Sequence, residues 1–338
     1  MRQQENKKRT KEHSGMELLR VIATFLVVFI HSSSEAFFRF NQSWFSVDIA
    51  ASLSRVSVPV FFLIAGYFAF TGKNGDSIIA FLIKKFNRLI IPLIAWSFFY
   101  LYYNNTPPSF GAVLKLMSTP AHYHLWFFYT LIPIVIITPL LISAVKMAEK
   151  KDIVYFSILW FLFALLPSFT NNVLSIFTSE KPTLGIESLK MTLAMLGYYI
   201  IGGLASKIKI KASFATLFFA FLFTSLLTAL LTLILSKKIE SPTEAFFVYY
   251  SPLIALSSFS LFYAFMRMEI APCRVIKLLS SCSLGIYFIH PVIIDFLKLW
   301  ILDSTGVVML IINTSVVFLI SAVIIYPLTK TPLIKKLL

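Results

Sequence analysis

Apolar stretches of about 18 residues or more recur along the whole of this chain. Each is long enough to cross a bilayer as a helix. None shows the strict apolar–polar alternation of a barrel strand. The chain has 338 residues, of which 58% are hydrophobic and 13% charged, with a mean hydropathy of +0.83. A soluble domain of that size cannot hide so much apolar surface. The pattern predicts an all-α polytopic membrane protein.

Ten spans can be drawn: 16–38, 47–70, 88–104, 125–145, 153–169, 187–206, 213–236, 246–267, 280–300 and 306–328. Eight or eleven fit as well if the short or proline-flanked fifth and eighth are read differently. Lysine and arginine collect in alternate loops, at Lys84, Lys85 and Arg88, at Lys146, Lys150 and Lys151, and at Arg267, Arg274 and Lys277. That bias puts both termini in the cytoplasm. It also accounts for the net charge of +15, which in a soluble chain would point to nucleic acid. The basic segment 1–15 reads as a cytoplasmic tail before an uncleaved first span. Residues 16–330 read as one transmembrane domain, and 331–338 as a short cytoplasmic end. Cys273 and Cys282 imply no disulfide framework, and no metal-ligand spacing occurs.

Ionisable residues inside a span are costly and usually face a cavity or a pathway. Arg20 and His31 lie in one apolar helix. Eleven residues bring them to nearly the same face, about 16 Å apart along the axis. Glu35 follows His31 by four and shares that face, so it is expected to orient the imidazole as a base. The competing reading has Arg20 snorkelling to the inner headgroups. A second group, Arg55-Val-Ser-Val-Pro59 through Gly66-Tyr67, sets Arg55 at a depth that approaches Glu35. Its simpler alternative is a structural ion pair or an interface anchor.

Lys84, Lys85 and Arg88 share one turn at an inner span end. They suit a phosphate clamp, although composition alone makes them a positive-inside anchor. His122-Tyr-His124-Leu-Trp126 opens the fourth span, where an aromatic beside polar donors suits a sugar face. Ser283-Leu-Gly-Ile-Tyr287-Phe-Ile-His290-Pro291 carries a second deep histidine. It suits acceptor binding or proton relay, or alternatively a core role bonded to a carbonyl freed by Pro291. Walker, GxGxxG, HExxH and GxSxG motifs are absent.

Taken in order, these segments resemble the acyltransferase 3 family of membrane O-acyltransferases. The matching pieces are Arg20-x10-His31, Val58-Pro59 through Gly66-Tyr67, Lys85-x-x-Arg88, His124-Leu-Trp126 and Ser283 through Pro291. Without a second soluble domain, the chain is similar to the branch holding the enterobacterial common antigen O-acetyltransferase. The resemblance implies a multi-pass protein of a bacterial cytoplasmic (inner) membrane. It implies transfer of an acyl group, acetyl above all, from cytoplasmic acyl-CoA to a hydroxyl of a surface glycan or glycolipid. No metal is implied.

On that reading His31 and Glu35 are catalytic, and Arg20, Lys84, Lys85 and Arg88 hold the acyl-CoA. Arg55, His124, Trp126, Tyr287 and His290 contact the acceptor. Lysine at position 85, where the family carries arginine, gives up bidentate geometry. Two other classes compete: a proton-coupled transporter of a small polar solute or glycolipid, and a scaffold whose buried charges are only structural.

Overall fold

The computed structural model describes residues 2–71, 77–107, 109–178, 187–208, 210–298, 306–332 and 334–338. Lys73, Lys181, Lys209, the end of the 170–186 segment and the last two residues of the ninth expected span lie outside the described residues. So do the side chains of residues 2–13, 187–189 and 335. Among the described residues the chain is helical and has no strand. In order the helices are α1 (Arg2–Phe38), α2 (Trp44–Ser54), α3 (Ser57–Thr71), α4 (Ile78–Lys85), α5 (Ile91–Tyr103), α6 (Phe110–Lys115) and α7 (Trp126–Met147). They continue as α8 (Lys150–Trp160), α9 (Leu166–Leu174), α10 (Glu187–Leu204), α11 (Phe214–Lys238), α12 (Pro252–Met266), α13 (Arg274–Lys298) and α14 (Val307–Leu328).

Among the described residues seven segments are long and apolar enough to cross a membrane: Ser14–Phe38, Trp44–Thr71, Tyr123–Met147, Lys150–Leu174, Phe214–Lys238, Arg274–Lys298 and Val307–Leu328. The chain is a multi-pass membrane protein. The other three expected spans fall on weaker helices. Span 88–104 lies in α4–α5, which carries Lys84, Lys85 and Arg88. Span 187–206 lies on α10, whose first turn holds Glu187 and Lys190. Span 246–267 is helical only from Pro252, and residues 246–250 form turns. Proline fits the start of a helix, where its missing N–H bonds nothing, so α12 begins there.

The same rule breaks the second span. A proline ring clashes with the carbonyl four residues earlier, and for Pro59 that residue is Arg55. Helix α2 ends at Ser54 and α3 starts at Ser57, which leaves Arg55 at a break midway along the segment. A π-turn over Phe86–Ile90 joins α4 to α5 and carries Arg88. Such bulges inside helices concentrate at functional sites.

Close backbone approach fixes the crossing of α3 and α10. A methyl group at Gly66 would lie 1.8 Å from the Tyr199 carbonyl oxygen, and one at Gly202 would lie 2.1 Å from that of Leu63. In lipid, where water supplies no drive for helix association, such packing carries the contact. Trp160, Tyr198, Tyr199, Phe62 and Phe262 fill the core around it. Two of the cations beyond helix ends hold backbone carbonyls, Lys207 at the C-terminus of α7 and Arg267 in the loop before α11. Lys207 donates to the carbonyls of Lys146 and Ala148, and Arg267 to those of Ile210 and Ala212.

Helices α1 and α13 run side by side in the same direction. Arg20 Nη1 donates to Ser280 Oγ at 3.4 Å, and eleven residues on, the His31 ring lies 5.2 Å from that of His290. This parallel pair builds both ends of the site.

Candidate functional site

At the N-terminal end of the α1/α13 pair, Arg20 is half-buried with its guanidinium 5.4 Å from the Phe68 ring centre. Arg88 lies within Coulombic reach of Arg20, and Lys85 within reach of Arg88. Lys85 also sits 5.3 Å from the Phe81 ring centre. Lys84 and Arg88 are exposed. Arg20, Lys85 and Arg88, from two distant parts of the chain, therefore gather at one end, whereas Lys207 and Arg267 bond backbone carbonyls. Like charges repel, so such a gathering is best stabilised by an anion.

About 16 Å along α1, four of the chain's 5 histidines meet. The His31 ring centre is 5.2 Å from His290 and 4.9 Å from Tyr123. His124 is 5.5 Å from His290, and His122 bonds His124 through the two Nδ1 atoms at 2.9 Å. The turn Tyr123–Leu125 thus lies over the His31 end of α1. It is pinned by Tyr100 stacked on His122 at 4.3 Å, and by Asn104 Nδ2 donating to the Ala121 carbonyl at 3.1 Å. Burial lowers the His122 pKa, against the pull of Asp295, and favours the neutral ring. Among the described residues no three ligating side chains converge as a metal site requires.

Pro291 explains His290. Without an amide hydrogen, Pro291 leaves the carbonyl of Tyr287, four residues earlier, without its helical donor. His290 Nδ1 bonds that oxygen at 2.7 Å and the Ile286 carbonyl at 3.2 Å. A carbonyl only accepts, so Nδ1 carries the hydrogen and Nε2 keeps its lone pair. That Nε2 is buried and has no hydrogen-bond partner among the described residues. His290 is 0% exposed and His124 1% exposed, so neither ring has surface open to a ligand in this conformation. His31 is only half-buried.

Glu35 is engaged elsewhere. Its carboxylate accepts from Arg39 Nη2 at 2.6 Å, and its side chain is 58% exposed. The i,i+4 spacing that pairs Glu35 with His31 also pairs it with Arg39, and a full cation wins over a neutral imidazole. Arg55 likewise pairs with Glu244 rather than with Glu35, and its guanidinium lies 4.5 Å from the Phe247 ring centre. Arg55 remains within Coulombic reach of His31. Trp126 stacks on Tyr249 at 5.7 Å, and Tyr249 is itself a neighbour of Arg55. The Tyr287 hydroxyl donates to the His124 carbonyl.

Sequence reasoning passed over two residues here. Glu244 stands 189 positions from Arg55, and only the fold joins them. Tyr100 stacks on His122, and nothing local in the sequence sets it apart from the neighbouring aromatic residues. For the Arg55–Glu244 pair, a double-mutant cycle with Arg55→Met and Glu244→Gln should give a coupling of about 0.5–3 kcal/mol in thermal unfolding. A coupling of zero would make the pair incidental.

A family model described as an acyltransferase domain matches residues 13–329. No curated protein matches the chain. No solved structure matches it either.

Proposed function

Because the chain belongs to this acyltransferase domain family, whose model covers most of its length, we propose that it moves an acyl group from cytoplasmic acyl-CoA to a glycan hydroxyl. Acetyl is the group proposed, and a cell-surface glycan or glycolipid the acceptor. The observation that carries the reading is one helix, α1, with a cation cluster gathered around its Arg20 and a half-buried imidazole about 16 Å further along. A coenzyme A thioester has that shape: phosphates at one end, the reactive carbonyl at the other, and a long neutral arm between. Lys84, Lys85, Arg88 and Arg20 hold the phosphates, and His31 faces the reacting carbon.

The chemistry needs a base and no redox step. The acceptor O–H bond breaks as its oxygen bonds to the acyl carbon, and His31 takes the proton. The C–S bond then breaks, and the thiolate takes that proton from His31. The products are an ester and a free thiol. Arg55, within electrostatic reach of His31, steadies the oxyanion that forms between these steps. Trp126 and Tyr249 offer a stacked aromatic face to the sugar. His124, His290 and Tyr287 support this wall from behind.

The topology belongs to the same proposal. Ten spans, with both termini cytoplasmic in a bacterial inner membrane, put the Lys85 end on the side where acyl-CoA is made. Lys85→Ala combined with Arg88→Ala is expected to raise KM for acetyl-CoA at least tenfold, with kcat within about threefold of the parent. The measurement is thiol release at varied acetyl-CoA in reconstituted vesicles. Unchanged KM would remove the basic turn from donor binding and favour transport of a small solute.

A further inference from the structure

We propose that His290 is the hydrogen-bond acceptor that orients His31, in the place where a carboxylate would ordinarily stand. This rests on the general-base reading of His31. A base imidazole must present a lone pair to the acceptor hydroxyl, so its other nitrogen must carry hydrogen and give it to something fixed. Glu35 is held by Arg39 on the exposed side of α1. The charged and titratable groups around His31 are His290 on α13, Arg55 at the α2–α3 break, and His122, Tyr123 and His124 at the turn above. Arg55 only donates. His122 and His124 are bonded to each other, and among the described residues the rings in contact with His31 are those of Tyr123 and His290. His290 offers a lone pair that cannot swing away, because Nδ1–H is tied to the Tyr287 carbonyl that Pro291 leaves open.

The reach is right. His31 and His290 have ring centres 5.2 Å apart, against 5.1 Å for His122 and His124, which are already joined Nδ1 to Nδ1 at 2.9 Å. The His31 ring, tilted 31° to His290 where His122 and His124 cross at 73°, closes the bond by turning about its side-chain torsions. His290 Nε2, sealed from solvent and without a partner among the described residues, then gains one. His31 keeps its second nitrogen on the half-buried side, where the hydroxyl arrives. The proton taken from that hydroxyl returns to the thiolate, and His290 neither gains nor loses one. It is a positioning residue.

Two substitutions separate this role from a packing role. Asparagine at 290 keeps a donor near the Tyr287 carbonyl but has nothing at the Nε2 position. Glutamine puts an amide oxygen near Nε2 and gives up the Tyr287 bond. His290→Asn is therefore expected to lower kcat about 100-fold with KM for acetyl-CoA unchanged and Tm close to the parent. His290→Gln is expected to keep kcat within about tenfold of the parent while losing Tm. Nitrogen-15 spectra of histidine-labelled protein should show a single His31 tautomer in the parent and in His290→Gln, and a mixture in His290→Asn. The spectra serve even for a variant too unstable to assay. Full turnover in His290→Asn, or an unchanged His31 tautomer there, overturns the proposal. The failure is distinct from that of the parent reading: full turnover in His31→Ala removes the base itself, whatever position 290 does.

Discussion

Replacing His31 by alanine is expected to cut acyl transfer by about 10²–10⁴-fold, the usual worth of a positioned base, and to leave the fold intact. The ring is half-buried and its described contacts are to other rings. Alanine keeps the helix, and the small void it leaves lies beside surface already open. Donor binding should survive, since the cations stand about 16 Å away along α1. The pattern to look for is therefore lost kcat with unchanged KM for acetyl-CoA and unchanged Tm. Lost Tm together with lost kcat would assign His31 to packing, and full turnover would end the base assignment.

The second large effect is structural. Gly66→Leu should prevent α3 from reaching α10. Even the first carbon of the new side chain would stand 1.8 Å from the Tyr199 carbonyl oxygen. Backbone cannot give way there as a side-chain tip can, because Gly202 meets the Leu63 carbonyl at the same crossing. Overpacking usually costs about 1–3 kcal/mol, and a clash with backbone belongs at or above the top of that range. The expected result is a protein that loses its cooperative thermal transition in detergent or fails to accumulate. Gly111→Ala, with nothing within 4 Å of the added methyl, serves as the control and should behave as the parent. A Gly66→Leu protein with the parent's Tm would show that the α3–α10 crossing is not as close as described.

Which parts were legible follows from the range of the signal. Arg20 and His31 share a helix, and helix periodicity alone gives their common face and spacing. The helical class follows from runs of apolar residues, which need no partner to be read. Contacts between helices carry no such local mark. Nothing near Arg55 announces Glu244, and nothing near His31 announces His290 beyond a similar depth. Glu35 misled because i,i+4 spacing runs both ways along a helix, and Arg39 lies as close on one side as His31 on the other. Three of the ten expected spans fall where cations or prolines interrupt apolar sequence and stand out less as helices: residues 88–104 continue a helix bearing Lys84 and Lys85, and 246–267 turns helical only at Pro252. Pro291 was the most informative local signal. The carbonyl it frees is the one His290 binds, and that bond fixes the tautomer.

Thiol release from acetyl-CoA tests the central claim most directly. The purified protein would be reconstituted in vesicles and supplied with a glycan fraction from the cell envelope, beside His31→Ala. The account expects glycan-dependent thiol release by the parent, with ester appearing on the glycan in equal amount, and almost none from His31→Ala. No glycan-dependent release, or equal release by the two proteins, would contradict it.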